Sequence, residues 1–251
     1  MTVRLELDGD CAHLLIDRPE RRNAIDLAMW EEAFILLRQV EANDRLRLLV
    51  LRSANGGTFS AGADLKQMRE HRGDPEWAAA NQAAINRVQS KLARARCATL
   101  AFVEGDCMGG GCGLALACDL RIATSAARFA ITPARLGLVY PLHDVKLLTD
   151  LVGPGHARRL LFTGMAVDAD EALRIGLVEM VAEDYVEVAE AIRAASPRSV
   201  QAMKRFVQRV LDGEGAEDRQ SLDIFAQAFS GPDFAEGARA FAEKRPPKFS
   251  D

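Results

Sequence analysis

A chain of 251 residues, 49% hydrophobic and 27% charged, suits one large domain or one domain with a small appendage, with enough apolar side chains for a full core. Its formal net charge of −4 argues against nucleic acid as the main partner, because a phosphate backbone needs a clustered basic face. No apolar run approaches the roughly 20 residues that span a bilayer, and the opening MTVRLELDGD lacks the apolar stretch of a signal peptide, so we expect no membrane partner and a cytoplasmic location.

Residues 3–7 alternate apolar and polar, Asp8-Gly9 turns, and 11–17 is apolar, which predicts an opening β-hairpin. Asp26 is placed to cap a helix reaching residue 42, with Met29, Ala33, Leu36, Leu37 and Val40 on one face. A short strand at 48–51 follows, then a loop of small residues, a helix from Asp64 and another from Pro75 to about residue 94. Residues 99–103 read as a strand, 105–113 as a glycine-rich loop, and 114–117 as a short apolar helix. Strands are expected at 120–123 and 128–131. From residue 142 the pattern is mainly helical, punctuated by Gly153-Pro154, Gly164, Gly176 and Pro197. Strands alternating with helices, then a helical end, predict an α/β layered core at 1–195 and a helical region at 196–251. The five cysteines, at 11, 97, 107, 112 and 118, have no CxxC spacing and read as reduced, buried residues, and no metal site is expected.

Two stretches carry chemistry. In TFSAGADL, 58–65, small residues turn the chain between a strand and a helix. There backbone N–H groups are free to point at a ligand, and small side chains let it approach. In GDCMGGGCG, 105–113, three consecutive glycines open onto an apolar helix, whose N-terminus favours negative charge. Each alone also reads as a simple strand-to-helix loop. Neither is a phosphate loop, because GKS/GKT and GxGxxG are missing. Together they supply a pair of donors for a thioester oxygen on which charge develops, each typically worth roughly 3–4 kcal/mol in a transition state.

The pairing of TFSAGADLKQM with GDCMGGGCGLALACDLRIA resembles the crotonase (enoyl-CoA hydratase/isomerase) superfamily. So do RPERRNAI at 18–25, LGLV at 136–139, LLFTGMAVDADEALRIGLVEMV at 160–181 and the ending EGARAFAEKRPPKF. The resemblance runs from about residue 3 to residue 249. It implies a spiral of ββα turns with a helical C-terminal trimerisation region, a homotrimer or a hexamer built as a dimer of trimers, and an acyl-CoA thioester as ligand. Coenzyme A is then part of the substrate and no separate cofactor is expected. By the same resemblance, the thioester oxygen is expected to accept from the amides at Ala63 and Gly110, and adenine and pantetheine to lie along Arg21, Arg22 and Ala24, and along Ala61, Asp64 and Leu65. Arg21 and Arg22 also suit the CoA phosphates, though a solvated basic loop explains them equally.

The same resemblance marks a departure. Hydratases of the family use two glutamates, and the matching positions here are Gly113 and Pro133. Neither handles a proton, and each positioned acid or base typically contributes about 10²–10⁴-fold. Candidate replacements are Tyr140, which matches a tyrosine of the methylmalonyl-CoA decarboxylase branch, and the pair His143 and Asp144, which also reads as a plain helix start. The expected activity is therefore enolate chemistry of the decarboxylase or isomerase kind. The alternatives are an enoyl-CoA hydratase of fatty-acid or amino-acid breakdown using substitute groups, and a catalytically silent acyl-CoA-binding protein.

Overall fold

A computed structural model describes residues 2–249. The expected hairpin is β1 (Val3–Asp8) paired antiparallel with β2 (Cys11–Ile16). Asp26 caps α1 (Leu27–Ala42) by accepting from the Met29 amide at 3.0 Å. The buried face of α1 is Met29, Trp30, Ala33, Leu37 and Val40. Trp30 widens that face on one side and leaves the expected Leu36 half-buried at its opposite edge.

β3 (Leu48–Ser53) and β4 (Ala98–Val103) run parallel to one another. They are buried on both faces, so they read as continuous apolar runs rather than alternating ones. Between them lie α2 (Leu65–Glu70) and α3 (Pro75–Ala93), capped by Asp64 and Asp74.

The glycine-rich segment differs from expectation. β5 (Asp106–Met108) occupies its first part, and α4 (Gly110–Leu116) begins four residues earlier than the predicted 114. Low helix propensity is overridden here by tertiary packing, because Gly111 lies against Ser60, and Gly113 against the side chains of Asp144 and Gln89, too closely for a β-carbon.

β6 (Leu120–Ala123) and β7 (Arg128–Ala130) follow, then a 3₁₀ turn at Pro133–Leu136 and α5 (Leu142–Thr163). Gly153, at φ 70° and ψ 166°, is not helical, so α5 is two helices meeting at a kink where the sequence places the Gly153-Pro154 break. β8 (Val167–Asp168), α6 (Ala169–Arg174), β9 (Met180–Val181) and α7 (Val186–Ala194) come next, with both strands too short to show an alternating pattern. α8 (Pro197–Leu211), α9 (Arg219–Ser230) and α10 (Pro232–Ala242) complete the chain.

The strands form one sheet in the order β1-β2-β3-β4-β6-β9 and a second in the order β5-β7-β8. All pairings of the first sheet except β1 with β2 are parallel. Between β4 and α5 the chain twice gives one strand to the first sheet, one to the second, and then a helix, after which β8 joins the second sheet and, beyond α6, β9 joins the first. That is a spiral of ββα turns. Its winding brings the loop before α2 beside the start of α4, since Ser60 bridges in parallel to Cys107 at β5.

Candidate active site

The two loops expected to supply the amide donors meet. Met108 N donates to Ser60 O at 2.8 Å, and Ser60 N to Asp106 O at 3.1 Å, zipping one loop to the other. Asn23 braces the first loop from behind. Its side chain donates to Ser53 Oγ and to Thr58 O, while Ser60 Oγ donates to Asn23 O at 2.8 Å. Gly62 sits at φ 91°, and a β-carbon there would stand 2.7 Å from Met108 O and 3.2 Å from Gly110 N. Only glycine fits both that conformation and that approach.

A β-carbon built on Gly110 would lie 3.6 Å from Ala63 N, so the two amides are close neighbours. Neither Ala63 N nor Gly110 N donates a hydrogen bond among the described residues, and both residues are only half-buried. Unpaired backbone donors are uncommon in a protein interior. Two of them side by side, at the positively polarised start of α4, form a site for an oxygen carrying negative charge.

The proposed nucleotide-side residues are gathered along one edge of this site. Ala61 N donates to Arg22 O at 2.9 Å, Ile25 N to Gly62 O at 2.8 Å, and Asp64 N to Ile25 O at 2.9 Å. The backbone at 22–25 is thereby laid against that at 61–64, with Arg21 and Leu65 at the two flanks. Their side chains differ in availability. Arg22 pairs with Asp106. Asp64 caps α2 and pairs with Arg18 at 2.9 Å, and these backbone donors and the guanidinium hold its carboxyl below its ordinary range despite partial burial. Arg21 and Leu65 are exposed.

At Gly113, one turn beyond Gly110 on the same face of α4, three side chains converge. Asp144 Oδ1 and Gln89 Nε2 both occupy the volume that a β-carbon on residue 113 would fill, and Tyr140 Oη would stand 3.3 Å from it. A carboxylate is therefore present beside α4 after all, carried in from α5. Asp144 is 1% exposed and accepts from Gln89 Nε2 at 2.6 Å. Burial pushes its carboxyl up to about 6, against the opposing pull of the Gln89 amide and its own backbone N–H. A carboxyl titrating there exchanges protons near neutrality.

Tyr140 is buried and donates to Gly109 O at 3.1 Å. That carbonyl belongs to the same peptide unit as the Gly110 N–H. A donor on the carbonyl polarises the unit and strengthens its N–H as a donor in turn. Burial and the Asp144 charge push the phenol well above its usual range, which keeps it protonated.

His143 does not join Asp144. It sits near Lys146 and Arg94, burial and those charges hold its imidazole below the ordinary value, and its Nε2 is buried without a partner among the described residues. Adjacent positions on a helix diverge by about 100°. Pro133, the other glutamate position, opens the 3₁₀ turn and lines a cavity of about 240 Å³ with Ile131, Ala134, Leu138, Tyr140 and Leu161. This is an apolar chamber whose one titratable lining residue, among the described residues, is Tyr140.

Sequence reasoning missed Gln89, Asn23 and Ser60. Gln89 is a lone amide on a face of α3 made otherwise of Ala84, Val88 and Leu92, and a polar residue in an apolar stripe is its one visible signal.

The comparisons agree with this geometry. A family profile described as enoyl-CoA hydratase/isomerase matches residues 7–251. The short-chain-enoyl-CoA hydratase of Clostridium acetobutylicum is 33% identical, over 97% of this chain and 95% of its own. The crotonyl-CoA hydratase of Syntrophomonas wolfei is 30% identical, over 98% of this chain and 97% of its own. A crystal structure of an enoyl-CoA hydratase/isomerase family protein from Hyphomonas neptunium superposes with a TM-score of 0.93 at 35% identity, covering 100% of this chain and 98% of that one. The chain belongs to the enoyl-CoA hydratase/isomerase family, within the crotonase superfamily.

Proposed function

We propose that this enzyme binds an acyl-CoA thioester and moves a proton along its acyl chain through an enolate, with 1,3-allylic isomerisation of an enoyl-CoA as the reaction its site fits best. The observation that carries the reading is the placement of Asp144, the one carboxyl beside Gly113, buried and titrating at about 6. In the forward step ionised Asp144 takes a proton from C2 of a 3-enoyl thioester. The electron pair flows onto the thioester oxygen, which accepts from Ala63 N and Gly110 N. The protonated Asp144 then delivers the same proton to C4, the double bond closes between C2 and C3, and the carboxylate is restored. Tyr140 reinforces the Gly110 donor through the Gly109 carbonyl.

Hydration, the activity in the names of the relatives, calls for a water-activating group and a carbon-protonating group. Position 133 is a proline, and His143 lies against Lys146 and Arg94. Decarboxylation needs no base, and a substrate carboxylate brought beside ionised Asp144 is repelled. Single-carboxyl proton transfer is what remains. A homotrimer fits the same reading, because Phe225, Phe229 and Phe241 on α9 and α10 are exposed in the single chain.

The test is incubation with a 3-enoyl-CoA, crotonyl-CoA and methylmalonyl-CoA in D₂O, followed by mass spectrometry. The reading predicts conversion of the 3-enoyl to the 2-enoyl thioester with partial deuterium uptake. Water addition to crotonyl-CoA assigns hydration, CO₂ loss assigns decarboxylation, and binding without either reduces the protein to a silent acyl-CoA binder.

A further inference from the structure

We propose that Gln89 is a positioning residue for Asp144, clamping one carboxylate oxygen from α3 so that the other faces the acyl chain. The inference rests on the reading of Asp144 as the proton carrier, and it adds a residue from a third element to the site.

Gln89 is 1% exposed, on a helix face whose other buried members are Ala84, Val88 and Leu92. Among the described residues its amide has one polar partner, Asp144, at 2.6 Å from Nε2. Its Oε1 is buried and without a partner among the described residues. With its oxygen unpaired, the bond to Asp144 is the polar contact that offsets the burial of this amide. That bond crosses from α3 to α5 through the space left by the missing side chain at Gly113.

The neutrality of the clamp matters. An arginine or lysine in the same place would hold Asp144 ionised through the whole working range and defeat proton return. An amide N–H orients the carboxylate and moderates the effect of burial while leaving the group able to load and release a proton. The groups facing Asp144 are consistent with this. α3 presents the neutral Gln89, α4 presents bare Gly113, and Tyr140 is the titratable neighbour, with Cys107 and Cys112 beyond it. His143 and Lys146, on α5 itself, lie towards Arg94.

The experiment follows the Asp144 carboxyl directly. In ¹³C-labelled protein its resonance, identified by its loss in Asp144→Asn, is titrated by NMR in the wild type, Gln89→Met and Gln89→Glu. Losing the donor raises the midpoint by about one pH unit in Gln89→Met. Placing a second carboxyl beside it raises the upper midpoint further in Gln89→Glu. The acid limb of kcat/KM moves in the same direction, while KM for the thioester stays within about twofold. A midpoint unchanged in both variants overturns the proposal. Because the titration needs no turnover, a shifted midpoint in a protein that isomerises nothing upholds the Gln89 clamp and removes the isomerase reading instead.

Discussion

Asp144 and Gly113 exclude each other as side chains, because Asp144 Oδ1 fills the space where a β-carbon on residue 113 would stand. The family resemblance puts a hydratase glutamate on α4 at this point. Here α4 is bare and the carboxylate arrives from α5, 31 residues later in the chain. Returning the glutamate alone therefore overpacks the site. Gly113→Glu is expected to lower stability by about 1–3 kcal/mol. Adding Asp144→Gly to it should recover at least about 1 kcal/mol as a non-additive coupling. Urea unfolding of both singles and the double measures this, and strict additivity contradicts the shared volume.

Asp144 also links activity to stability. Its folded pKa of about 6 lies above its ordinary 3.8, so ionisation opposes folding. The contribution is fully present below about pH 4 and is lost as pH rises through 6, a difference of about 3 kcal/mol at most. Asp144→Asn, whose amide carries no charge to desolvate, should be more stable than the wild type by about 2 kcal/mol at pH 7.5, and the gain should vanish below pH 4. Its turnover should collapse by about 10²–10⁴-fold, the usual worth of a positioned base. The wild-type kcat/KM should fall on the acid side with a midpoint near 6. Urea unfolding at the two pH values and a pH–rate profile check both halves.

Tyr140 separates two roles by magnitude. A tyrosine that protonates carbon is worth about 10²–10⁴-fold. One that polarises the 109–110 peptide through a single hydrogen bond is worth about tenfold or less. Tyr140→Phe should therefore lower kcat by up to about tenfold, with KM for the thioester nearly unchanged and no new limb in the pH profile. A loss of a hundredfold or more assigns Tyr140 to direct proton transfer.

Much of this was legible in the residues. The hairpin, the Asp26 cap and the two donor loops follow from local patterns, and the convergence of Ala63 with Gly110 follows from the resemblance. The start of α4 is not legible because three glycines look like a loop, and it is packing against the distant Ser60 and Thr132 that accompanies the helix there. The pairing of Asp144 with Gln89 is not legible because the two lie 55 residues apart, and the apolar stripe around Gln89 marks it as buried without naming its partner. His143 and Asp144 read either as an acid/base pair or as a plain helix start, and helical geometry sends one to Arg94 and the other to Gln89. Long-range juxtaposition is what one-dimensional patterning does not encode.

The central claim, that Ala63 N and Gly110 N share one thioester oxygen, is tested most directly with a [1-¹³C]acyl-CoA on the wild type and on Gly110→Ala. A methyl at residue 110 stands 3.6 Å from Ala63 N, an ordinary contact that the fold accommodates, yet it intrudes on the oxygen's place. The bound wild-type carbonyl resonance should move downfield, as a polarised carbonyl does, and Gly110→Ala should abolish that shift and about 10²–10³-fold of turnover while still unfolding as the wild type does. A bound wild-type thioester whose carbonyl resonates as it does in water, or a Gly110→Ala variant with full shift and full turnover, contradicts the account.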